Sequence, residues 1–390
     1  MVRSEARQNA IVGALVGDAA SLGLHWIYDQ KLAQTGIDEN PSKVPEFIAP
    51  SAELYKRGPG YFAHGHKQAG DVTQYGAVTE VLVKSLADNG GKFNPVAFRD
   101  AMLDSFSFGG TYTGFVDGAM RGALLNLIPL KKDVAMLPWV AKGVDSADVQ
   151  KVLDDVSEAV VSAALKGENL DSAKKEAVSK AKAVKDSKEY SAYAEKAAEA
   201  LYKYATSTGS EDDQHPSIAQ IAILVAAYAD KEGLDGAISN LTHLFTTNEF
   251  SLAVGQFVKE VCSDVIVKGL DVKAAVQART ESAPAEKSLR ENIQKALSED
   301  KSESAHLAFQ QKLGLPCGLH QGIPGAVHAL VSSTSYVEVV RSVIKASGDS
   351  AGRLTFAAPL AAAVHGVPSD FGKKYNKYEE VKAWAKAIVQ

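Results

Sequence analysis

Residues 7–24 read Arg7-Gln8-Asn9-Ala10-Ile11-Val12-Gly13-Ala14-Leu15-Val16-Gly17-Asp18-Ala19-Ala20-Ser21-Leu22-Gly23-Leu24. Apolar side chains at Ile11, Leu15, Ala19 and Leu22 follow the spacing of one helix face. Glycine inside a helix costs roughly 1 kcal/mol against alanine. Gly13 and Gly17, four apart, therefore predict that another backbone packs closely on this helix. The same periodicity recurs at 74–88, 95–106, 114–127, 216–230, 234–245, 250–267, 272–280, 286–298, 302–312, 324–332, 335–346, 350–365 and 378–388. Few stretches alternate with period two for long enough to make a strand. The expected fold is all-α, a compact helical bundle forming a single domain over residues 1–390.

The bulk numbers agree with a globular chain: 46% of residues are hydrophobic and 23% charged. A net charge of −5 argues against nucleic acid or an anionic membrane as partner, because both select basic surfaces. Cys262 and Cys317 are the two cysteines. They form no disulfide framework and no cysteine-based zinc motif, and they suggest a reducing compartment. No secretory signal and no run of about 20 apolar residues is present, so the expected location is the cytoplasm. The oligomeric state stays open.

Residues 131–208 are rich in Ala, Lys, Glu and Asp, with opposite charges three and four apart. That pattern suits exposed amphipathic helices at the periphery of the domain, or else an interaction module. Residues 37–70 lack periodicity and carry Pro41, Pro45, Pro50, Gly58, Pro59 and Gly60. A loop of that length in a compact domain often lines a site.

Two polar knots open apolar stretches: Gly70-Asp71-Val72-Thr73-Gln74-Tyr75-Gly76 and Ser347-Gly348-Asp349-Ser350-Ala351-Gly352-Arg353. Paired helix N-termini gather oxygen ligands through their free N–H groups. Asp71 and Asp349 are their only carboxylates, fewer than a hard divalent cation normally takes. Asp349 or Ser350 also suits a plain helix cap, with Arg353 pairing to Asp349 one turn on. His25 and Asp29 are four apart and would share a face on a continuing helix, where the carboxylate would orient the imidazole or simply hydrogen-bond to it. His64-Gly65-His66 has the spacing of a metal pair but no nearby carboxylate. Phe108-Gly109-Gly110-Thr111-Tyr112-Thr113-Gly114-Phe115, ahead of Asp117, places glycines for close backbone approach and aromatics for stacking, or is an ordinary interhelical loop. Residues 209–216 are acidic, and capping accounts for only one or two of them; Thr246-Thr247-Asn248 is a similar polar stop. Cys317 and His320 suit a nucleophile and base, although a free cysteine more often acts as a small buried hydrophobe.

Taken in order, Gly17-Asp18-Ala19-Ala20, Leu24-His25-Trp26-Ile27-Tyr28-Asp29, Gly70 to Gly76, Tyr112 to Ala119, Gly209-Ser210 with Asp212-Asp213, Pro324-Gly325-Ala326-Val327-His328 and Gly348 to Arg353 resemble the ADP-ribosylglycohydrolase superfamily, and within it the branch of J-type lens crystallins. The resemblance implies an all-α domain with one polar cleft. It also implies two magnesium ions and hydrolysis at C1 of an ADP-ribosyl group. The family's first metal motif, Thr-Asp-Asp-Thr, falls on Thr73, Gln74, Tyr75 and Gly76, and its second, Asp-Thr-Asp-Thr, on Asp349, Ser350, Ala351 and Gly352. A glutamate that some members carry after the first helix falls near His25. Only Thr73 and Asp349 remain as ligands. Two adjacent divalent ions need several carboxylates, so the magnesium site is expected to be absent or weak. No other cofactor is expected. The implied ligand is a small molecule of ADP-ribose type. His25, Asp29 and Asp349 are the expected catalytic groups. Thr73, Gln74, Tyr75, Tyr112, Gly114, Asp117, Ser350 and Arg353 are the expected substrate contacts. A non-catalytic, crystallin-like role is the alternative, and a changed chemistry in the same cleft is a third.

Overall fold

A computed structural model describes residues 3–282 and 286–389. Among them strand pairing is limited to isolated bridges, such as Ile27 with Gly348, and the architecture is helical. In chain order the helices are α1 (Ser4–Ser21), α2 (Gln30–Glu39), α3 (Ala52–Tyr55), α4 (Gln74–Asp88), α5 (Pro95–Phe106), α6 (Gly118–Ala135), α7 (Val149–Lys166), α8 (Leu170–Val184) and α9 (Lys188–Ala205). The second half adds α10 (Ile221–Tyr228), α11 (Leu234–Phe245), α12 (Glu249–Cys262), α13 (Val272–Ser282), α14 (Lys287–Ser298), α15 (Glu303–Leu313), α16 (Leu319–Ser332), α17 (Tyr336–Lys345), α18 (Ser350–His365), α19 (Ser369–Gly372) and α20 (Tyr378–Ile388). None of the described helices is long and apolar enough to cross a membrane.

The two glycines of α1 do what their spacing predicts. A Cβ on Gly13 would lie 2.2 Å from Cβ of Ala362, and one on Gly17 would lie 2.5 Å from Cβ of Ala358. The helix that packs there is α18, whose alanines supply an equally thin face. Tyr336 of α17 fixes the contact by donating its hydroxyl proton to the Gly13 carbonyl at 2.7 Å. Helix α18 is buried on every side from Ser350 through Ala363, as a central helix is, and beyond Thr355 that stretch is wholly apolar.

Residues 131–208 hold a second hydrophobic cluster beneath their charged surface. Ala159, Ala163, Ala173, Ala177, Ala181, Ala194 and Ala197 line the seams of α7, α8 and α9, and all are fully buried. Small side chains let these helices approach closely. Their outer faces carry ion pairs such as Lys174–Glu199 and Lys180–Glu158, each worth up to about 1 kcal/mol. The cluster meets the rest of the fold where α9 packs on α5 and α6 and where α7 packs on α5 and α11.

Several elements differ from the expectation, among them 216–230, where a 3₁₀ turn at His215–Ser217 precedes a helix that runs only from Ile221 to Tyr228. The helix expected at 114–127 starts only at Gly118, because Asp117 caps it, and it continues past Pro129 to Ala135. The helix expected at 324–332 starts earlier, at Leu319, with Pro324 inside it. Helix α2 carried no sequence expectation, yet Asp29 caps it firmly by accepting from the N–H groups of Lys31 and Leu32.

Candidate functional site

The C-terminal half of α1 and the N-termini of α4 and α18 meet at one buried point. Asp18 projects from α1 onto the start of α4. It accepts from the Thr73 amide at 2.7 Å, the Thr73 hydroxyl at 2.6 Å and the Gly76 amide at 3.1 Å. Gly76 must be glycine, since a Cβ there would lie 2.3 Å from Oδ1 of Asp18. Thr73 caps α4 by accepting from the Tyr75 amide at 3.1 Å. Burial raises Asp18 to about 6 against the pull of these hydrogen bonds. At this knot the buried carboxylate is therefore Asp18. Asp71 lies farther out, accepting from the Gln68 amide and the Asn376 side chain, both at 2.8 Å.

Asp349 caps α18 by accepting from the Gly352 amide at 2.8 Å. Its other oxygen accepts from the Tyr75 hydroxyl at 3.3 Å. Nδ1 of His25 lies 3.6 Å from Asp349 and accepts from the Ala351 amide at 3.3 Å. That bond makes Nδ1 the unprotonated nitrogen, so the neutral ring carries its proton on Nε2. Burial lowers His25 to about 4 despite Asp349 beside it. Burial would raise Asp349, but His25, His215, the Gly352 amide and Arg353 outweigh it and hold the carboxyl below its usual range. Arg353 donates to the carbonyls of Val343 and Ser347, while its Nε and Nη1 have no partner.

Gln74 and Asp117 form a third joint. The Gln74 side-chain oxygen accepts from the Asp117 amide at 2.6 Å. Oδ1 of Asp117 caps α6 through the Met120 amide at 2.8 Å, and Oδ2 is buried without a partner. Burial, with Asp212 and Asp349 nearby, raises Asp117 to about 6.

His215 belongs to the site, although it was no expected site residue and capping accounts for only one or two of its acidic neighbours. It is fully buried in a slot cut by two glycines. A Cβ on Gly322 would lie 2.0 Å from its ring, and one on Gly352 would lie 2.6 Å away. Neither ring nitrogen has a partner, and burial lowers it to about 4.

An aromatic cover closes the site. Trp26 packs on His25 with centroids 4.4 Å apart and edge-on to Phe115 at 5.2 Å. Tyr61 meets Phe115 at 5.1 Å, and His64 stacks on His25 at 5.4 Å. Thus the long loop does line the site, through Tyr61 and His64. His66 is held apart by the Thr113 carbonyl, so the two histidines do not converge as a metal pair. His25 beneath this cover is 1% exposed and Asp349 0%.

Several expected contacts lie elsewhere. Asp29 does not pair with His25: the helix ends at Ser21, the 3₁₀ turn after it ends at Leu24 with His25 extended, Trp26 takes a left-handed φ of 67°, and Asp29 turns to cap α2. The role of carboxylate beside His25 falls to Asp349. Tyr112 packs on Phe106 at 4.7 Å and donates to the Phe115 carbonyl at 3.0 Å. With Asp71 it lines an adjacent surface groove of about 360 Å³, and Gly114 is exposed in the loop beyond. Cys317 contacts the Tyr28 hydroxyl at 3.7 Å. His320 instead stacks on Phe250 at 4.0 Å, so those two are not a nucleophile and base.

Oxygen atoms around these two helix starts already serve the fold. Thr73, both oxygens of Asp18 and of Asp349, and the Gln74 amide oxygen all hold protein hydrogen bonds. Among the described residues no group of three or more His, Cys, Asp or Glu side chains could hold a metal ion. A different set is unsatisfied and buried: the Ser350 hydroxyl, Asp117 Oδ2, Trp26 Nε1, both nitrogens of His64 and His215, and two nitrogens of Arg353. Buried polar atoms are nearly always paired, so such a concentration marks a place for water or ligand.

Comparison with known proteins identifies the family of the chain. Crystallin J1A of Tripedalia cystophora is 24% identical over 382 residues, covering 97% of this chain and 94% of that one. Crystallin J1B of the same animal is 23% identical over 384 residues, covering 98% and 95%. A solved structure described as an ADP-ribosylglycohydrolase-related protein complex shares the fold, with a TM-score of 0.51 at 13% identity, covering 100% of this chain and 98% of that one. The family model of ADP-ribosylglycohydrolase matches residues 3–390, and the chain belongs to that family.

Proposed function

We propose that this chain hydrolyses a glycosidic bond at the anomeric carbon of an ADP-ribosyl or related substrate, and that it does so without the paired magnesium ions of its family. The observation that carries the reading is the split between two buried carboxylates. Asp349 is held ionised, while Asp117 is raised to about 6 and keeps one oxygen free. Environments that drive two carboxyl groups apart in this way assign an acid and a charge stabiliser.

In the proposed step Asp117 donates its proton to the leaving group as the bond from C1 breaks. The Asp349 carboxylate stabilises the cation that develops on the sugar. Water then adds to C1 and returns a proton to Asp117. Neutral His25, with Nδ1 tied to the Ala351 amide, presents Nε2–H as a fixed donor. The loss of metal chemistry is supported by Gln74 and Tyr75. Both are neutral, and both use their polar atoms on Asp117 and Asp349, where ligands would stand.

The test is hydrolysis of a panel of N- and O-linked ADP-ribosyl conjugates with and without EDTA. Turnover should survive EDTA, and Asp117→Asn should lower it by about 10²–10⁴-fold, the usual range for a general acid. Loss of turnover in EDTA would overturn the metal-free reading.

A non-catalytic role is the second reading. The closed aromatic cover over His25 favours it, as does similarity to two proteins named crystallins. A wild-type chain that turns over none of the panel would remove the proposed hydrolysis and favour this reading.

A further inference from the structure

The exposed face of α6 carries an apolar stripe that the proposed chemistry does not use. Leu125 is 70% exposed, Ile128 50%, Met136 40% and Trp139 80%. Along a helix of 3.6 residues per turn, positions 125, 128, 129, 132 and 136 share one face. Trp139 extends that line through the 3₁₀ turn Leu137–Val140. Nine large hydrophobic side chains are exposed among the described residues, and four of them lie on this line. Scattered singly they would need no explanation; aligned, they form a patch.

We propose that this stripe is a self-association surface, by which two copies of the chain pair about a two-fold axis. Its size supports that occupant. The four side chains leave on the order of 500 Å² of apolar surface open, at the upper end for a monomer. Pairing the stripe with itself would bury about 1,000 Å² before any polar rim is counted, which reaches the lower bound for specific interfaces. An isologous contact needs no separate complementary surface, because apolar stripe meets apolar stripe. Lys132 lies within the face and exposed Arg121 one turn before Leu125, and their long stems can carry both charges out to the rim. The stripe also runs from the main core onto the peripheral helical segment. The segment 131–208 thus gains a role in presenting Met136 and Trp139, with Leu137 anchored in its own core.

Sedimentation velocity on the full chain across a concentration series tests the proposal. The wild type should sediment at twice the 41.3 kDa chain mass at about 10 μM and above, typical of a modest interface. Leu125→Asp and Trp139→Ala should each halve that mass while circular dichroism melting stays unchanged, since both side chains are exposed. Leu270→Asp, exposed but off the stripe, should leave the dimer intact. A wild type that is monomeric throughout, or a dimer that survives both stripe variants, overturns it. So does a monomer that binds lipid vesicles through the stripe.

Discussion

Replacing Asp18 by asparagine should change how stability depends on pH, in a direction fixed by the site. Asp18 is fully buried and titrates at about 6 when folded, against 3.8 when unfolded. A raised folded value means that the chain is favoured while the group is protonated. That contribution is fully present below pH 3.8 and is lost as pH rises through about 6. The gap of about two units is worth about 3 kcal/mol. Asparagine cannot ionise, so the variant lacks this dependence. It also places an amide N–H₂ beside the donors of Thr73 and Gly76, a roughly constant cost of about 1–3 kcal/mol. The difference in unfolding free energy between the two proteins isolates Asp18, because other titrating groups cancel. Urea unfolding at pH 3.5 to 7.5 should show the wild type losing about 3 kcal/mol relative to the variant as pH rises. A flat difference would refute the burial reasoning. A difference of opposite sign would mean that ionised Asp18 is stabilised in the fold, as a bound cation would do.

Other expectations follow from single contacts. Gly13→Ala should destabilise despite its better helix propensity, by about 1–3 kcal/mol in a thermal or urea melt, because Cβ would collide with Ala362. Asp349→Asn keeps a cap for the Gly352 amide but removes a carboxylate charge that acts on buried Arg353 with no ion pair between them, and should cost about 1–3 kcal/mol in a urea melt. Because Asp349 titrates below its usual range, its charge contributes stability above pH 3.8 and loses it as pH falls through the lowered value. Wild-type turnover should fall as pH rises through about 6, where Asp117 loses the proton it donates. That limb should vanish from the residual rate of Asp117→Asn.

Much of the fold is legible because the sequence marks its own helix ends. The boundaries 74–88, 95–106 and 350–365 coincide with helices capped by Thr73, Asn94 and Asp349, and each cap has the side-chain oxygen that an orphan N–H requires. The glycine pair in α1 likewise announced a close neighbour. What failed was local spacing used as a proxy for contact. His25 and Asp29 share a face only if the helix continues, and it is over by Leu24, with His25 already extended. The true neighbour, Asp349, is 324 positions away, and no periodicity reports such a pairing. His215 was harder still. Its slot is made by Gly322 and Gly352, from two other segments, so nothing beside it in the chain signals a buried, unpaired imidazole. The two knots were legible as helix starts, but their carboxylates serve the helices: Asp349 by capping α18, and Asp18 rather than Asp71 by holding α4.

The central proposal is that the carboxylates and neutral side chains at these two helix starts satisfy each other and leave no place for paired divalent ions. Isothermal titration of the metal-stripped protein with magnesium addresses it directly. No saturable two-site binding should be seen up to about 1 mM, the weak end of protein affinities for hard cations. Two magnesium ions bound per chain with micromolar affinity, lost in Asp349→Asn, would contradict it.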